Sequence, residues 1–378
     1  MSNKQLANAK NNKNDEYYTR IEDIEREMIH FKDAFKNKVV YCNCDDPYES
    51  NFFKYFALNF NFLGLKKLIC TSYITSPVAG TQVTFFDDEI YTEKRPYKVI
   101  IEEVNDVNGD GAYDLTDVEL LIKYNEKNTI EMLEGDGDFR SEECIELLKE
   151  ADIVCTNPPF SLLTAYFVQL FEYEKQFIIL GNPNAIHYKE IFPKIKENKL
   201  WLGYKSISED MLFNVSEKFA EELVKTKKEG SGYKIIDGEI KGRAQAIWYT
   251  NIDTSKRHEK YIFSTNTKKK KYIKYDNYDA INVDNVYDIP EDWFGLMGVP
   301  TSFLERCNPE QFEIVGVSDL PETMEGVQRL GEEWIAHYRS EGGTGHYTAN
   351  MKSLGCVKNG KHKVIYSRLI IKRKQESQ

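Results

Sequence analysis

Four consecutive residues, Asn157-Pro158-Pro159-Phe160, combine what is needed to act on an amino group carried by an aromatic ring. The lone pair of such a nitrogen is delocalised into the ring, which makes it a poor nucleophile. A side-chain carbonyl (Asn157) and a backbone carbonyl (Pro158) can accept hydrogen bonds from its two hydrogens. That pulls the nitrogen toward tetrahedral geometry and localises the pair. Two prolines fix φ and remove N–H donors, so the turn is rigid and its carbonyls point outward. Phe160 adds a face for stacking. Holding the reacting groups in line can supply about 7–11 kcal/mol of a transfer barrier. The plainer reading is a Pro-Pro turn that only ends a strand.

Gly135-Asp136-Gly137-Asp138-Phe139 is the second candidate. Glycines let backbone approach a ligand closely, and a carboxylate next to an aromatic can hydrogen-bond and stack on an adenine moiety. Asn43, Cys44, Asp45 and Asp46 form a third group, whose acids suit an ammonium or ribose hydroxyls. No glycine-rich phosphate loop stands there, which excludes the usual phosphate cradle. S-adenosylmethionine has no phosphate and remains compatible. Upstream, Tyr17, Tyr18 and Thr19 can close over its methionine end or simply lead into a helix.

These residues need a scaffold. VVYCNC (39–44), KLICTS (67–72), TIEML (129–133), IVCT (153–156), QFIILG (176–181) and LWLGY (200–204) read as six strands. Helices follow several of them, capped at Ser50, Ser141 and Ser161. Thr19 and Glu22 have the spacing of a capping box. Alternating strands and helices predict an α/β fold with a largely parallel sheet covered on both faces. Ligands then bind beyond the carboxyl ends of the strands. The three candidate groups all follow strands. From Lys205 to Val286 the chain turns Lys-, Asp- and Tyr-rich, which predicts a smaller second domain with little regular structure.

Composition sets the class. The 378 residues are 41% hydrophobic and 29% charged, a globular balance. Seven scattered cysteines without C-x-x-C spacing indicate a reducing, cytoplasmic setting. No run is apolar enough to predict a membrane span or a signal peptide. The formal net charge of −11 does not exclude nucleic acid, because contacts to phosphate need only a local basic surface. Lys268, Lys269, Lys270 and Lys271 offer one candidate DNA-binding surface, or only a solvated face. The tail from Lys358 to Lys374 offers another.

NDEYYT (14–19), VVYCNCDDP (39–47), SNFFKYFALNF (50–60), GDGDFRS (135–141), TNPPFSL (156–162) and ENKLWLG (197–203) resemble the EcoRI-type adenine-specific DNA methyltransferases. KYDNYDAINV (274–283), GLMGVP (295–300) and NPEQFEI (308–314) continue the resemblance in order through most of the chain. It implies a Rossmann-like fold that binds S-adenosylmethionine over residues 1–204, with a DNA target-recognition and C-terminal region over 205–378. It implies methylation of the N6 amine of an adenine flipped from double-stranded DNA, with Asn157, Pro158, Pro159 and Phe160 catalytic and Asn157 also at the cofactor. A bacterial or phage setting, a monomer and a separately acting restriction endonuclease accord with it. The same turn also occurs in methyltransferases of glutamine side chains and of RNA guanine N2. A DNA-binding homologue without catalysis is a further alternative.

Two stretches depart from the resemblance. Within 74–131, Asp106, Asn108, Asp110, Ala112 and Asp117 have the spacing of a single calcium loop, with a metal-free Asx-rich turn as the alternative. After Val317, Gly342, Gly343, Thr344, Gly345, His346 and Tyr347 suggest no sharper chemistry than added DNA contacts.

Overall fold

The computed structural model describes residues 18–44, 50–72, 96–106, 120, 127–264 and 271–375. The chain forms two compact units, Met1–Pro183 with Gly203–Ile252, and Asn184–Leu202 with Asp253–Gln378. Of the candidate residues, Tyr17, Asp45, Asp46, Asn108, Asp110, Ala112, Asp117, Lys268, Lys269 and Lys270 lie outside those described.

In the first unit, β1 (Tyr18–Thr19), α1 (Ile21–Met28), β2 (Val39–Cys42), α2 (Asn51–Leu58), α3 (Phe60–Leu63) and β3 (Lys67–Thr71) come first. β4 (Tyr97–Ile101), β5 (Thr129–Met132), α4 (Glu142–Glu150), β6 (Ile153–Thr156), α5 (Leu163–Glu172) and β7 (Gln176–Gly181) follow. The main sheet of this unit runs β5-β4-β3-β2-β6-β7-β12, where β12 is Ile247–Thr250. β3, β2, β6 and β7 pair in parallel. Their apolar runs are buried almost throughout, as strands covered on both faces require. Alternate residues serve opposite faces. Val40, Cys42, Ile153, Cys155, Ile178, Leu180 and Trp248 join the aromatic core under α1 and α2. On the other face, Phe167 of α5 meets Phe177 at 5.8 Å and Tyr249 at 5.3 Å.

Antiparallel strands flank the parallel core. β12 pairs with β7, and β4 lies between β3 and β5, antiparallel to both. Two reversals restore direction, so β5 ends at the same edge of the sheet as β2, β3 and β6. At the opposite edge Asn128 clips the end of β4 to the start of β5. Its Oδ1 accepts from the N–H groups of Glu102 and Glu103 at 2.9 and 3.2 Å, and its Nδ2 donates to the Glu103 carbonyl at 2.8 Å. Lys127 pairs with Glu103 at 2.7 Å beside it.

Several expectations are corrected. Residues 203–252 are regular and belong to the first unit. There β9 (Met211–Asn214), β10 (Tyr233–Ile236) and β11 (Glu239–Ala244) form an antiparallel sheet with β1, in the order β1-β9-β11-β10, accompanied by α7 (Glu217–Thr226). Asp237 and Gly238 make its tight turn, both at positive φ. Ser50 and Ser141 cap their helices through Phe52 N and Cys144 N at 3.0 and 3.3 Å. Ser161 does not cap: Leu162 N bonds the Pro159 carbonyl at 2.9 Å, which draws residues 160–162 into a 3-10 turn ahead of α5. Thr19 is in a strand, and Arg20 takes the N-cap position of α1.

The second unit holds α6 (Phe192–Lys196), β8 (Trp201–Leu202), β13 (Ile273–Lys274), β14 (Ala280–Asn282), β15 (Leu296–Val299) and β16 (Phe312–Val317). α8 (Glu332–Ser340), β17 (Gly355–Lys358), β18 (Lys361–Val364) and β19 (Leu369–Arg373) complete it. Its main sheet runs β13-β14-β15-β19-β16, over a core that includes Tyr275, Tyr278, Met324, Leu354 and Ile370. LWLGY therefore supplies only the two-residue β8.

Candidate active site

Three loops leave the sheet at its carboxyl edge, after β2, β5 and β6. Tyr41 faces Val154 in the β2–β6 register, so the loops carrying Asn43 and Asn157 start side by side. α5 ties two of the three together. The Tyr166 hydroxyl donates to Asn43 Oδ1. The same ring meets Phe139 edge-on, with centroids 5.0 Å apart. One turn further, Gln169 Nε2 donates to the Phe139 carbonyl at 3.0 Å. Residues three apart on a helix share a face, which is why Tyr166 and Gln169 can act on one loop.

Asn43 is 2% exposed. Because Tyr166 engages its oxygen, its Nδ2 group is a buried donor with no partner among the described residues. A buried unpaired donor costs about 1–3 kcal/mol. An acceptor atom of a bound cofactor would satisfy it. The unpaired donor thus fits a polar atom of a bound cofactor at this edge. The Thr19 hydroxyl is also buried without a partner among the described residues, while Tyr18 and Cys44 are half-buried.

The Gly135–Phe139 loop is organised from within. Asp136 Oδ1 accepts from Asp138 N at 3.0 Å. Asp138 grips Arg140 through Nε and Nη2, at 2.8 and 2.6 Å, and through its N–H at 2.9 Å. Burial alone would raise the Asp138 carboxyl; the Arg140 contacts outweigh it and hold the group below the ordinary carboxylate value. Gly137 has φ +75°, and a Cβ there would lie 2.1 Å from the Ser72 carbonyl oxygen. Its close approach is to the end of β3. Phe139 itself is buried against Tyr166.

Asn157 directly follows the fully buried Thr156 of β6 and is half-buried. Pro158 is buried; Pro159 and Phe160 are half-buried, and Phe160 packs on the edge of the main core. The Pro159 carbonyl is taken up by Leu162 N. No hydrogen bond to the Pro158 carbonyl occurs among the described residues. The turn therefore keeps one backbone acceptor beside Asn157.

Lys271 is exposed and lies in the second unit. Asp106 follows β4, at the opposite edge of the sheet. The described residues hold no cluster of metal-ligating side chains, and none of their helices is long and apolar enough to cross a membrane. Sequence reasoning missed Tyr166 and Gln169. The available signal was two polar tips, three residues apart, inside the otherwise apolar helix LTAYFVQLF.

Comparison with known proteins bears on this geometry. The family described as Adenine-specific methyltransferase EcoRI matches residues 5–374. The Type II methyltransferase M.EcoRI of Escherichia coli is 41% identical over 326 residues, which cover 83% of this chain and 89% of the relative. M.MgeORF184P of Mycoplasma genitalium is 38% identical over 312 residues, 81% of this chain and 84% of its own. M.MpnI of Mycoplasma pneumoniae is 34% identical over 375 residues and covers 97% of both chains. No solved structure matches the chain.

Proposed function

The chain belongs to the EcoRI-type family of adenine-specific DNA methyltransferases, and on that premise we propose which of its residues carry the reaction. The established reaction class is transfer of a methyl group to the N6 amine of adenine in DNA. S-adenosylmethionine, when bound, supplies an electrophilic methyl on a sulfonium centre.

Asn157 accepts one N6 hydrogen through its side-chain carbonyl, and Pro158 accepts the other through its backbone carbonyl. The nitrogen then presents a localised pair, while Phe160 stacks on the flipped purine. Flipping the base costs a few kcal/mol, which stacking and these two hydrogen bonds offset. Asn43 and the Gly135–Phe139 loop hold the cofactor, and Tyr17, Tyr18, Thr19, Asp45 and Asp46 complete its surround. The main parallel strands with helices on both faces form the Rossmann-like scaffold of this site. The observation that carries the assignment is the Asn157–Phe160 turn standing beside a loop with a buried, unsatisfied amide donor, both at the carboxyl edge.

The second unit is assigned to DNA recognition. Residues 331–378 carry nine Lys and Arg against four acidic residues, in a chain of net charge −11. A cognate restriction endonuclease is the expected separate companion of a Type II enzyme. Asn157→Ala tests the catalytic assignment. Transfer of tritiated methyl to unmethylated genomic DNA should drop by at least about 100-fold, as expected when a positioned transition-state contact is lost. Cofactor affinity by calorimetry should stay within about twofold. Comparable activity in that variant would overturn the mechanism.

A further inference from the structure

β17 and β18 form a separate two-stranded ribbon in the second unit. Asn359 and Gly360 join them with φ of 54° and 71°, the geometry of a two-residue hairpin turn. The register pairs Gly355 with Val364, Cys356 with Lys363, Val357 with His362 and Lys358 with Lys361. Cross-strand partners share a face. Lys358, Lys361 and Lys363 therefore stand on one side of the ribbon, and Gly355, Val357 and His362 on the other.

An isolated hairpin is marginal in water, and this one is held at its base from both faces: Cys356 is buried in the core of the unit on the lysine face, and the opposite face packs on α8. His362 stacks on His337 with centroids 5.1 Å apart, meets Trp334 edge-on at 5.2 Å, and bonds Glu341 at 3.1 Å. Gly355 lies so close to the Trp334 ring that a Cβ would come within 2.6 Å of it. The brace is itself held from outside. Gly345 N donates to the Tyr338 hydroxyl at 3.1 Å, and Arg339 donates to the carbonyls of Gly343 and Tyr347. α8 contributes no buried residue. Residues 331–350 thus act as a rigid support rather than as core, and they explain the glycine-rich stretch that the sequence left without a role.

On the lysine face Cys356 is buried, and the lysines beside it reach toward solvent. Lys358 pairs with Asp284 at 2.7 Å. Lys361 and Lys363 are exposed, and neither has a carboxylate within ion-pair range among the described residues. These two cations sit on a stiffened ribbon, and a two-stranded ribbon is an element that the major groove of DNA admits. We propose that the lysine face of the β17–β18 ribbon contacts the phosphate backbone of the substrate DNA, with Lys361 and Lys363 as the phosphate ligands. This rests on DNA being the substrate.

Phosphate contacts are independent of sequence, so the test requires no knowledge of the recognition site. Binding of a fluorescein-labelled mixed-sequence duplex is measured by anisotropy across a salt series. The pair K361Q/K363Q should reduce the magnitude of the slope of log K against log salt by about 1.8, the value for two phosphates. Affinity should fall about 10- to 100-fold near 0.1 M salt, with S-adenosylmethionine affinity and Tm unchanged. The pair K361R/K363R should keep the original slope, since the charge is retained. A K361Q/K363Q slope equal to that of the original chain overturns the ribbon assignment. Failure of the original chain to methylate DNA at all would instead overturn the functional reading.

Discussion

Tyr166 decides which end of the Asn43 amide faces outward. By donating to Oδ1 it leaves the amide N–H groups without a partner among the described residues. Tyr166→Phe removes that hydrogen bond and frees the amide to turn over. A neutral hydrogen bond contributes about 0.5–1.5 kcal/mol, so the dissociation constant of S-adenosylmethionine should rise roughly 3- to 10-fold by calorimetry. At saturating cofactor, turnover should stay within about twofold, since no reacting atom is touched. An unchanged dissociation constant would remove Tyr166 from the site. The turn at Asn157–Phe160 was legible in the sequence because it lies in local turn chemistry directly after a strand. Tyr166 was not, because an aromatic at helical spacing looks the same whether its hydroxyl is idle or engaged across 123 positions.

At the scale of elements, Gly137 shows how closely the loop after β5 is fitted to the sheet. A methyl group there meets the Ser72 carbonyl at 2.1 Å, on a backbone already at φ +75°. Gly137→Ala should destabilise the chain by at least about 2 kcal/mol, combining left-handed strain with a forced shift of the loop. Chemical denaturation reads the stability directly. A midpoint equal to that of the original chain would mean the loop can move away freely. The central strands were legible as continuous apolar runs. β4 was not, because its YKVII run takes its place only by pairing with strands 25 or more positions away. β12 was assigned to the wrong region for the same reason: AIWYT pairs with β7 across some 70 residues. The β10–β11 hairpin was available from Asp237-Gly238, and a composition rich in Lys and Asp masked it.

For the whole molecule, charge is unevenly spread along the chain. Acidic residues dominate the chain up to position 330, and cations gather after it. Within the first unit, the residues proposed for transfer stand at one edge of the sheet while Asp106 and Lys127, the described ends of the candidate calcium segment, stand at the other. A calcium loop between them would therefore act on stability. Chelation with EGTA should leave the methylation rate within about twofold, and it should lower Tm by a few degrees only if that loop binds the ion. A collapse of methylation at unchanged Tm would contradict this division.

The Asn128 clip carries a consequence for engineering. It closes β4 onto β5 through three hydrogen bonds, and each doubling of the chain length between anchored ends costs only about 0.6 kcal/mol in chain entropy. The interval between Asp106 and Lys127 is thus a splice point. A fluorescent reporter or a second, programmable DNA-binding module can be inserted there and carried as cargo, while the machinery that methylates adenine keeps its alignment.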